Sequence, residues 1–409
     1  MEPTQRQQCS VLYISYDGLT DPLGQSQVLS YLEKLAVEGY DIHILSYEKP
    51  QVFEEKKNEI SVRTTKAHIQ WHPLPYTKSP PILSTLYDLF KGWQVIKQLR
   101  QKTSFNIVHC RGYMSAILGR KMKKQYGTKF IFDMRGWWAD EKRESGLWNS
   151  PLYVPVYRYF KHLEERFFKE SEVSVSLTFA GQEEIQRLGF KNKEQVEVIP
   201  TCVNFNYFPP FSSSTRSEYR KKLKIEDDAL VLVYSGSLGG NYNPDILFRT
   251  FRYLQKANGK WQLLILSKCD KKLVNDAIQR FSITTNKVHV ASCDYTEVSN
   301  YLMTGDAGFI FYSKTYSVIG RSPTKMAEYW SAGLPVVSLK GIGDMDYLLN
   351  RYPEGGFLLD EITEDNCREL DKKLLTSHSN RDLLYEYARQ YFDLDRGVAK
   401  YKALYQTLC

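Results

Sequence analysis

The sequence lacks a long apolar run. No uninterrupted stretch approaches the roughly 20 residues that a membrane-crossing helix needs, so no spanning segment is expected. The first residues, Met1-Glu2-Pro3-Thr4-Gln5-Arg6-Gln7-Gln8, have no apolar centre and do not read as a signal peptide. Cysteine is sparse and unpatterned: Cys9, Cys110, Cys202, Cys269, Cys293, Cys367 and Cys409 form no C-x-x-C pair and are odd in number. A structural zinc is therefore not expected, and a reducing compartment fits best. A G-x-G-x-x-G fingerprint is missing, which leaves a nicotinamide or flavin cofactor without support. Long basic tracts and nucleic-acid-binding motifs are missing too. The net charge of +8 is a moderate excess that suits phosphorylated ligands or an anionic membrane surface, and nothing beside it points to nucleic acid. The expected location is cytoplasmic, with any membrane contact made from outside the bilayer.

What is present begins with length. At 409 residues the chain exceeds one ordinary core, so two domains are the default. Short β-rich runs alternate with helical patterns: Val11-Leu12-Tyr13-Ile14-Ser15, Ile42-His43-Ile44-Leu45-Ser46, Ile107-Val108-His109, Phe130-Ile131-Phe132-Asp133 and Val173-Ser174-Val175-Ser176. That rhythm predicts a parallel sheet covered by helices. A break from Val196 through Pro209-Pro210 into Phe211-Ser212-Ser213-Ser214-Thr215 reads as a linker. The rhythm restarts at Leu230-Val231-Leu232-Val233-Tyr234 and continues through Gln262-Leu263-Leu264-Ile265-Leu266, Val288-His289-Val290, Ala307-Gly308-Phe309-Ile310-Phe311 and 335–338. The expected architecture is α/β, with an N-terminal domain over 1–205, a second over 206–385, and a helical tail over 386–409 that either crosses back or packs on its own domain.

The densest signal lies at Gly320-Arg321-Ser322-Pro323-Thr324-Lys325-Met326-Ala327-Glu328-Tyr329-Trp330-Ser331-Ala332-Gly333. Ser322 suits an N-cap, Pro323 the first helical position and Gly333 the C-cap, with Leu334-Pro335-Val336-Val337 resuming as a strand. Arg321 and Lys325 then sit at the positive end of a helix dipole, which disfavours cations by up to about 1 kcal/mol. A bound anion reverses that penalty. The loop ahead leaves a strand and enters a helix N-terminus, the place where doubly wound sheets seat anionic ligands.

With that helix, Gly341-Ile342-Gly343-Asp344 and Asp17-Gly18-Leu19-Thr20-Asp21-Pro22-Leu23-Gly24-Gln25-Ser26-Gln27-Val28, the chain resembles glycosyltransferase family four, in the subgroup with Ser-Pro-Thr-Lys before the glutamate. The resemblance spans nearly the whole chain. It implies a GT-B fold: two Rossmann-like doubly wound domains facing each other across a cleft, with a nucleotide sugar held mainly by the second. Carried over by position, Glu328 takes the ribose hydroxyls, because a carboxylate can accept from both O–H groups of a vicinal diol. Ser322, Thr324 and Lys325 hold the diphosphate. One departure is clear, since the family's E-x7-E pair has Gly320 in place of its first glutamate. The loop after the second domain's first strand, with Ser237 and Gly239, offers backbone amides without cations, and Lys268 and Arg321 are candidate replacements.

In the first domain, Gly24 reads either as ordinary turn chemistry or as a place where backbone approaches the diphosphate or acceptor. His109 ends a predicted strand, a position more often structural than catalytic, yet the resemblance lays a histidine here against the donor sugar. Arg135, in Asp133-Met134-Arg135-Gly136-Trp137-Trp138, reads equally as a partner for an anionic acceptor beside sugar-stacking indoles and as an Arg-Asp pair with core tryptophans. The aromatic and basic stretch Leu147–Lys161 fits either a membrane face beside a lipid-linked acceptor, aided by Lys121, Lys123 and Lys124, or buried rings with solvated charges.

The resulting expectation is transfer of a sugar from a nucleotide-diphosphate donor, of UDP or GDP type, to a hydroxyl of a glycan or lipid-linked acceptor in surface polysaccharide or related glycan assembly. No cofactor and no metal are expected, because no D-x-D is placed at a strand end, and no nucleic-acid partner is expected. Retention follows from the resemblance alone, and Asp17 is the candidate base if the reaction inverts. The alternatives are a nucleotide-sugar epimerase of the same fold and a non-catalytic scaffold subunit.

Overall fold

Apolar runs such as Val11-Leu12-Tyr13-Ile14 and Leu263-Leu264-Ile265-Leu266 leave no face for water, and each becomes a central strand of a parallel sheet buried on both sides. The computed structural model describes residues 9–238, 244–376 and 380–409. The chain divides into two α/β units, one ending at Pro200 and regaining Leu394–Cys409, the other spanning Thr201–Asp393.

In the first unit, β1 (Ser10–Ser15), β2 (Asp41–Glu48), β3 (Gln70–Pro75), β4 (Ile107–Arg111), β5 (Lys129–Asp133), β6 (Val173–Ser176) and β7 (Val196–Val198) lie parallel in the order β3-β2-β1-β4-β5-β6-β7. Helix α1 (Leu83–Arg100) follows β3, α2 (Gly112–Tyr126) joins β4 to β5, and α3 (Val154–Glu170) precedes β6.

The second unit repeats the plan. Strands β8 (Leu230–Ser235), β9 (Trp261–Leu266), β10 (Val288–Ala291), β11 (Ala307–Ile310), β12 (Val336–Leu339) and β13 (Gly356–Leu359) run parallel in the order β10-β9-β8-β11-β12-β13. Helix α4 (Thr324–Ser331) joins β11 to β12. The winding direction reverses between β1 and β4 in one sheet and between β8 and β11 in the other, and it is at such switch points that the carboxyl ends of strands open a ligand crevice. From Leu394 the chain returns to the first unit, where α5 (Leu394–Leu408) sets Tyr401 edge-on to Tyr31 and Lys400 on the Val198 carbonyl at 2.6 Å.

Four features depart from the sequence pattern. Gln70–Pro75 contains Pro73 and Pro75 and still forms β3, because it lies at a sheet edge where missing amides cost little. Val196–Val198, read as the start of the linker, is instead the opposite edge strand, and the division between units falls after Pro200. The pattern gave no sign of β13, four residues opened by Gly356 at the edge of the second sheet. Cys9 and Cys409, read as thiols of a reduced chain, are joined by a disulfide that ties the residue before β1 to the end of α5, whereas the other five cysteines form no disulfide.

Candidate functional site

In the second unit, β8 ends at Ser235 and the chain reverses through Gly236, whose φ of 112° lies in the region that glycine adopts without strain. A side chain there would stand 3.0 Å from Lys325 Cε and 3.1 Å from its Nζ, so the bare Cα makes room for the ammonium. Lys325 Nζ also lies 5.1 Å from the centre of the Tyr234 ring, and the Tyr234 hydroxyl donates to the Ser237 carbonyl at 2.6 Å. Across the start of α4, the Arg321 guanidinium sits 5.0 Å from the Tyr312 ring. Gly236 and Ser237 are exposed, and with Lys325 and Arg321 they surround the N-terminus of α4 at the β8/β11 switch point.

The aim of α4 is fixed from below by Tyr329, a residue that the sequence pattern did not single out. Its ring occupies the space that any side chain at Gly308 on β11 would need, and its hydroxyl accepts from the Ser235 amide at 2.9 Å. The helix ends as its sequence dictates: Gly333 has φ 70°, and the Leu334 amide closes back on the Tyr329 carbonyl at 2.8 Å. Gly343 donates to the Val318 carbonyl at 3.0 Å, so the Gly-Ile-Gly-Asp motif braces the turn that leads into α4.

The start of α4 is corrected. Ser322 does not cap it; its hydroxyl accepts from the Thr201 amide at 3.1 Å and its carbonyl accepts from the Thr201 hydroxyl at 2.8 Å. Pro323 takes the cap position rather than the first turn, the helix begins at Thr324, and no side chain caps it.

Glu328 lies one turn beyond Lys325 and is 9% exposed. Burial pushes its carboxyl up to about 7, while Lys325 pulls in the other direction. No hydrogen bond reaches the carboxylate from the described residues. Its charge is felt by Cys293, raised to about 11 chiefly by burial, and by Tyr295, raised by burial, both in the loop after β10. An almost buried carboxylate with its acceptors unused is costly unless donors arrive from elsewhere.

Lys268 is exposed beyond the end of β9, and no contact ties it to Lys325 or Arg321. Gly239 lies outside the described residues, while Gly320 is buried at the end of the turn Tyr316–Gly320. Among the described residues no group of three His, Cys, Asp or Glu is placed to hold a metal ion.

In the first unit, Asp17 follows β1 at the switch point, its carboxylate 3.5 Å from the buried Arg111 Nε. The loop around it is held by Glu48, which sequence reasoning missed: at the end of β2 it accepts from the Leu19 amide at 2.8 Å, the Thr20 amide at 3.1 Å and the Thr20 hydroxyl at 2.6 Å. Gly24 is buried, and the space a side chain would take there is filled by the Gly18 carbonyl, so its close approach is to its own loop.

His109 does not end its strand. β4 continues to Arg111, and His109 stands opposite Tyr13 and Ile131 with its Nδ1 2.8 Å from the Tyr405 hydroxyl of α5. Burial lowers its pKa although Asp133 lies 3.7 Å from Nε2. Arg135 adopts φ 59°, and its Nη1 is 3.7 Å from Asp133 Oδ1. Burial alone would raise the Asp133 carboxyl, but Arg135, His109 and Arg111 together hold it below the usual range. Trp137 is fully buried and Trp138 packs, tilted or edge-on, among Tyr113, Trp148 and Phe160, so of the two readings of these indoles the packing one matches their surroundings. The stretch 147–161 is mixed, with Leu147, Leu152 and Tyr159 exposed and Lys161 engaged with Asp140 and Glu164.

Compared with known families, residues 24–207 match Glycosyltransferase Family 4 and residues 215–391 match Glycosyl transferases group 1. No curated protein matches the sequence significantly. Among solved structures, sucrose-phosphate synthase from Thermosynechococcus elongatus superposes with a TM-score of 0.71 at 14% identity, covering 98% of this chain and 99% of its own. HepE of Anabaena, solved with UDP and glucose, gives 0.70 at 12% identity over 96% and 98%. A glycosyltransferase from Rickettsia africae ESF-5 gives 0.69 at 14% identity over 98% and 99%.

Proposed function

We propose, for a chain that carries the two matched domains of a GT-B glycosyltransferase, that it transfers a sugar from a nucleotide-diphosphate donor to a hydroxyl of a glycan or lipid-linked acceptor. One observation carries the donor assignment: the buried Glu328 carboxylate, its acceptors unused, one turn behind the Lys325 and Gly236 cradle. A ribose diol supplies the two O–H donors that Glu328 lacks, and the attached diphosphate then reaches the amides and cations at the start of α4. Thr324, at the first helical position, belongs to this diphosphate seat, and Ser322 joins it through its hydroxyl proton. Ser237 offers backbone from the facing loop.

Chemically, the barrier lies in charge building on the departing diphosphate. Lys325, Arg321 and the helix dipole supply fixed positive charge at that point, which suits metal-independent departure. In a retaining reaction the leaving phosphate oxygen takes the acceptor proton and no protein base is needed. In an inverting one, Asp17 is the base, and His109 and Arg135, both set against Asp133, are the further candidates of the first unit. Surface-polysaccharide assembly is the setting proposed for the product.

The test is a thermal-shift series with UDP, GDP, CMP and ADP. The UDP and glucose in the Anabaena structure make the uridine donor the first to try. A nucleotide at about 100 times its dissociation constant stabilises by about 2.7 kcal/mol. Lys325→Ala and Glu328→Ala should each remove most of that gain, and variants that respond like the wild type would overturn the assignment.

A further inference from the structure

Helix α1 buries Trp93 and Ile96 in its second half, but its first two turns lay their apolar groups outward. Ser84, Asp88 and Gly92 face the first unit: Asp88 is 1% exposed and accepts from the Tyr16 hydroxyl at 2.9 Å and the Thr77 amide at 3.0 Å, while Gly92 leaves room for the Tyr47 hydroxyl. Leu83, Leu86, Tyr87 and Phe90, spaced three and four apart on one face, are exposed by 64, 57, 50 and 56%, and Ile82 adjoins them at 47%. Over these first turns inward polar and outward apolar groups reverse the usual arrangement, and an apolar patch of this continuity marks a binding surface.

Charge identifies the occupant. Of the seven cations on α1 and α2, Arg120, Lys123 and Lys124 pair with Glu170 or Glu172, which leaves Lys91, Lys97, Arg100 and Lys121 as the basic groups of this face, and the only carboxylate on either helix is the buried Asp88. Lys91 Nζ lies 5.5 Å from the Tyr87 ring and Lys121 Nζ 4.1 Å from the Trp93 ring, so cations edge the stripe along aromatic faces. Lys121 also lines a groove of about 410 Å³ between α2 and α3, beside Tyr159 and Leu163. A second copy of this chain would oppose like charge to like charge across a two-fold contact. Nucleic acid offers no apolar counterpart to Leu83 and Leu86.

We propose that α1 docks this chain on an anionic phospholipid bilayer, with Leu83, Leu86, Tyr87 and Phe90 entering the headgroup boundary and the lysines meeting the anionic headgroups. The proposal stands independently of the donor assignment.

Sedimentation with vesicles tests it. The protein should pellet with phosphatidylcholine mixed with phosphatidylglycerol, pellet weakly with phosphatidylcholine alone, and be released by added salt. Leu86→Glu with Phe90→Glu should lower vesicle affinity by about tenfold or more, and Lys91→Glu with Lys121→Glu should lower it on the anionic vesicles only. Both pairs should keep the wild-type melting temperature and nucleotide-induced shift, because the altered groups lie on the surface; Leu86→Ser serves if the double glutamate variant misfolds. Wild-type protein left in the supernatant of anionic vesicles, or apolar-face variants that bind as well as wild type, would overturn the proposal. So would light scattering that shows a dimer which these variants convert to a monomer, since a second copy would then be the occupant.

Discussion

Glu328 concentrates the conflict between stability and binding in one side chain. Its carboxyl is raised from an ordinary 4.5 to about 7 mainly by burial, so the ionised form costs the fold. That cost is absent below about pH 4.5, grows by roughly 1.4 kcal/mol with each pH unit on the way to 7, and is fully present above it. Glu328→Gln should therefore stabilise the unliganded protein at pH 8, by up to about 3 kcal/mol, and change little at pH 4.5, as read by thermal unfolding at the two values. The same variant should lose most of the nucleotide-induced shift. A variant no more stable than wild type at pH 8 would mean that the carboxylate finds donors within the protein. Glu328 itself was legible, through the family resemblance of the helix that carries it. Glu48 was not, because nothing local says that a carboxylate ending one strand will collect the amides of a loop 28 and 29 residues earlier.

Helix α4 shows which parts of an element local chemistry fixes. Its C-terminus followed from Gly333, since a left-handed residue after a helix is nearly free of strain only for glycine. Its N-terminus did not follow, because Thr201, 121 positions away, takes both acceptors of Ser322. What aims the helix at the end of β8 is the Tyr329 hydroxyl. Tyr329→Phe leaves the Ser235 amide without its acceptor and should cost about 1–3 kcal/mol, measured by urea denaturation. Nucleotide affinity should fall with it, because Ser235 precedes Gly236. Unchanged stability would show that water or another group replaces the hydroxyl.

Across the whole molecule, two sheets wound in the same order place two switch points in two units, and the residues proposed to hold the donor gather at the one in the second unit. Hydrogen exchange should accordingly slow most in 234–238 and 321–329 when UDP is added without an acceptor, with the loop after β10 as the next most protected. Protection elsewhere with none in these segments would place the nucleotide at another site. The disulfide Cys9–Cys409 and α5 make Leu394–Cys409 part of the same unit as the first two hundred residues.

The sequence by itself determined the alternation of buried strands and helices, the repetition of that plan, and the helix, stopped at Gly333, that carries Lys325 and Glu328. These rest on backbone sterics and on periodic burial, which act over neighbouring residues. Tertiary structure alone decided the rest. It set His109 against Tyr405, 296 positions away, admitted the proline-bearing β3 by placing it at an edge, gave Ser322 to Thr201, and left Leu83, Leu86, Tyr87 and Phe90 of α1 outward. Each of these depends on which distant groups meet once the sheets have formed, and a hydrogen-bond partner or a buried face is chosen only at that stage.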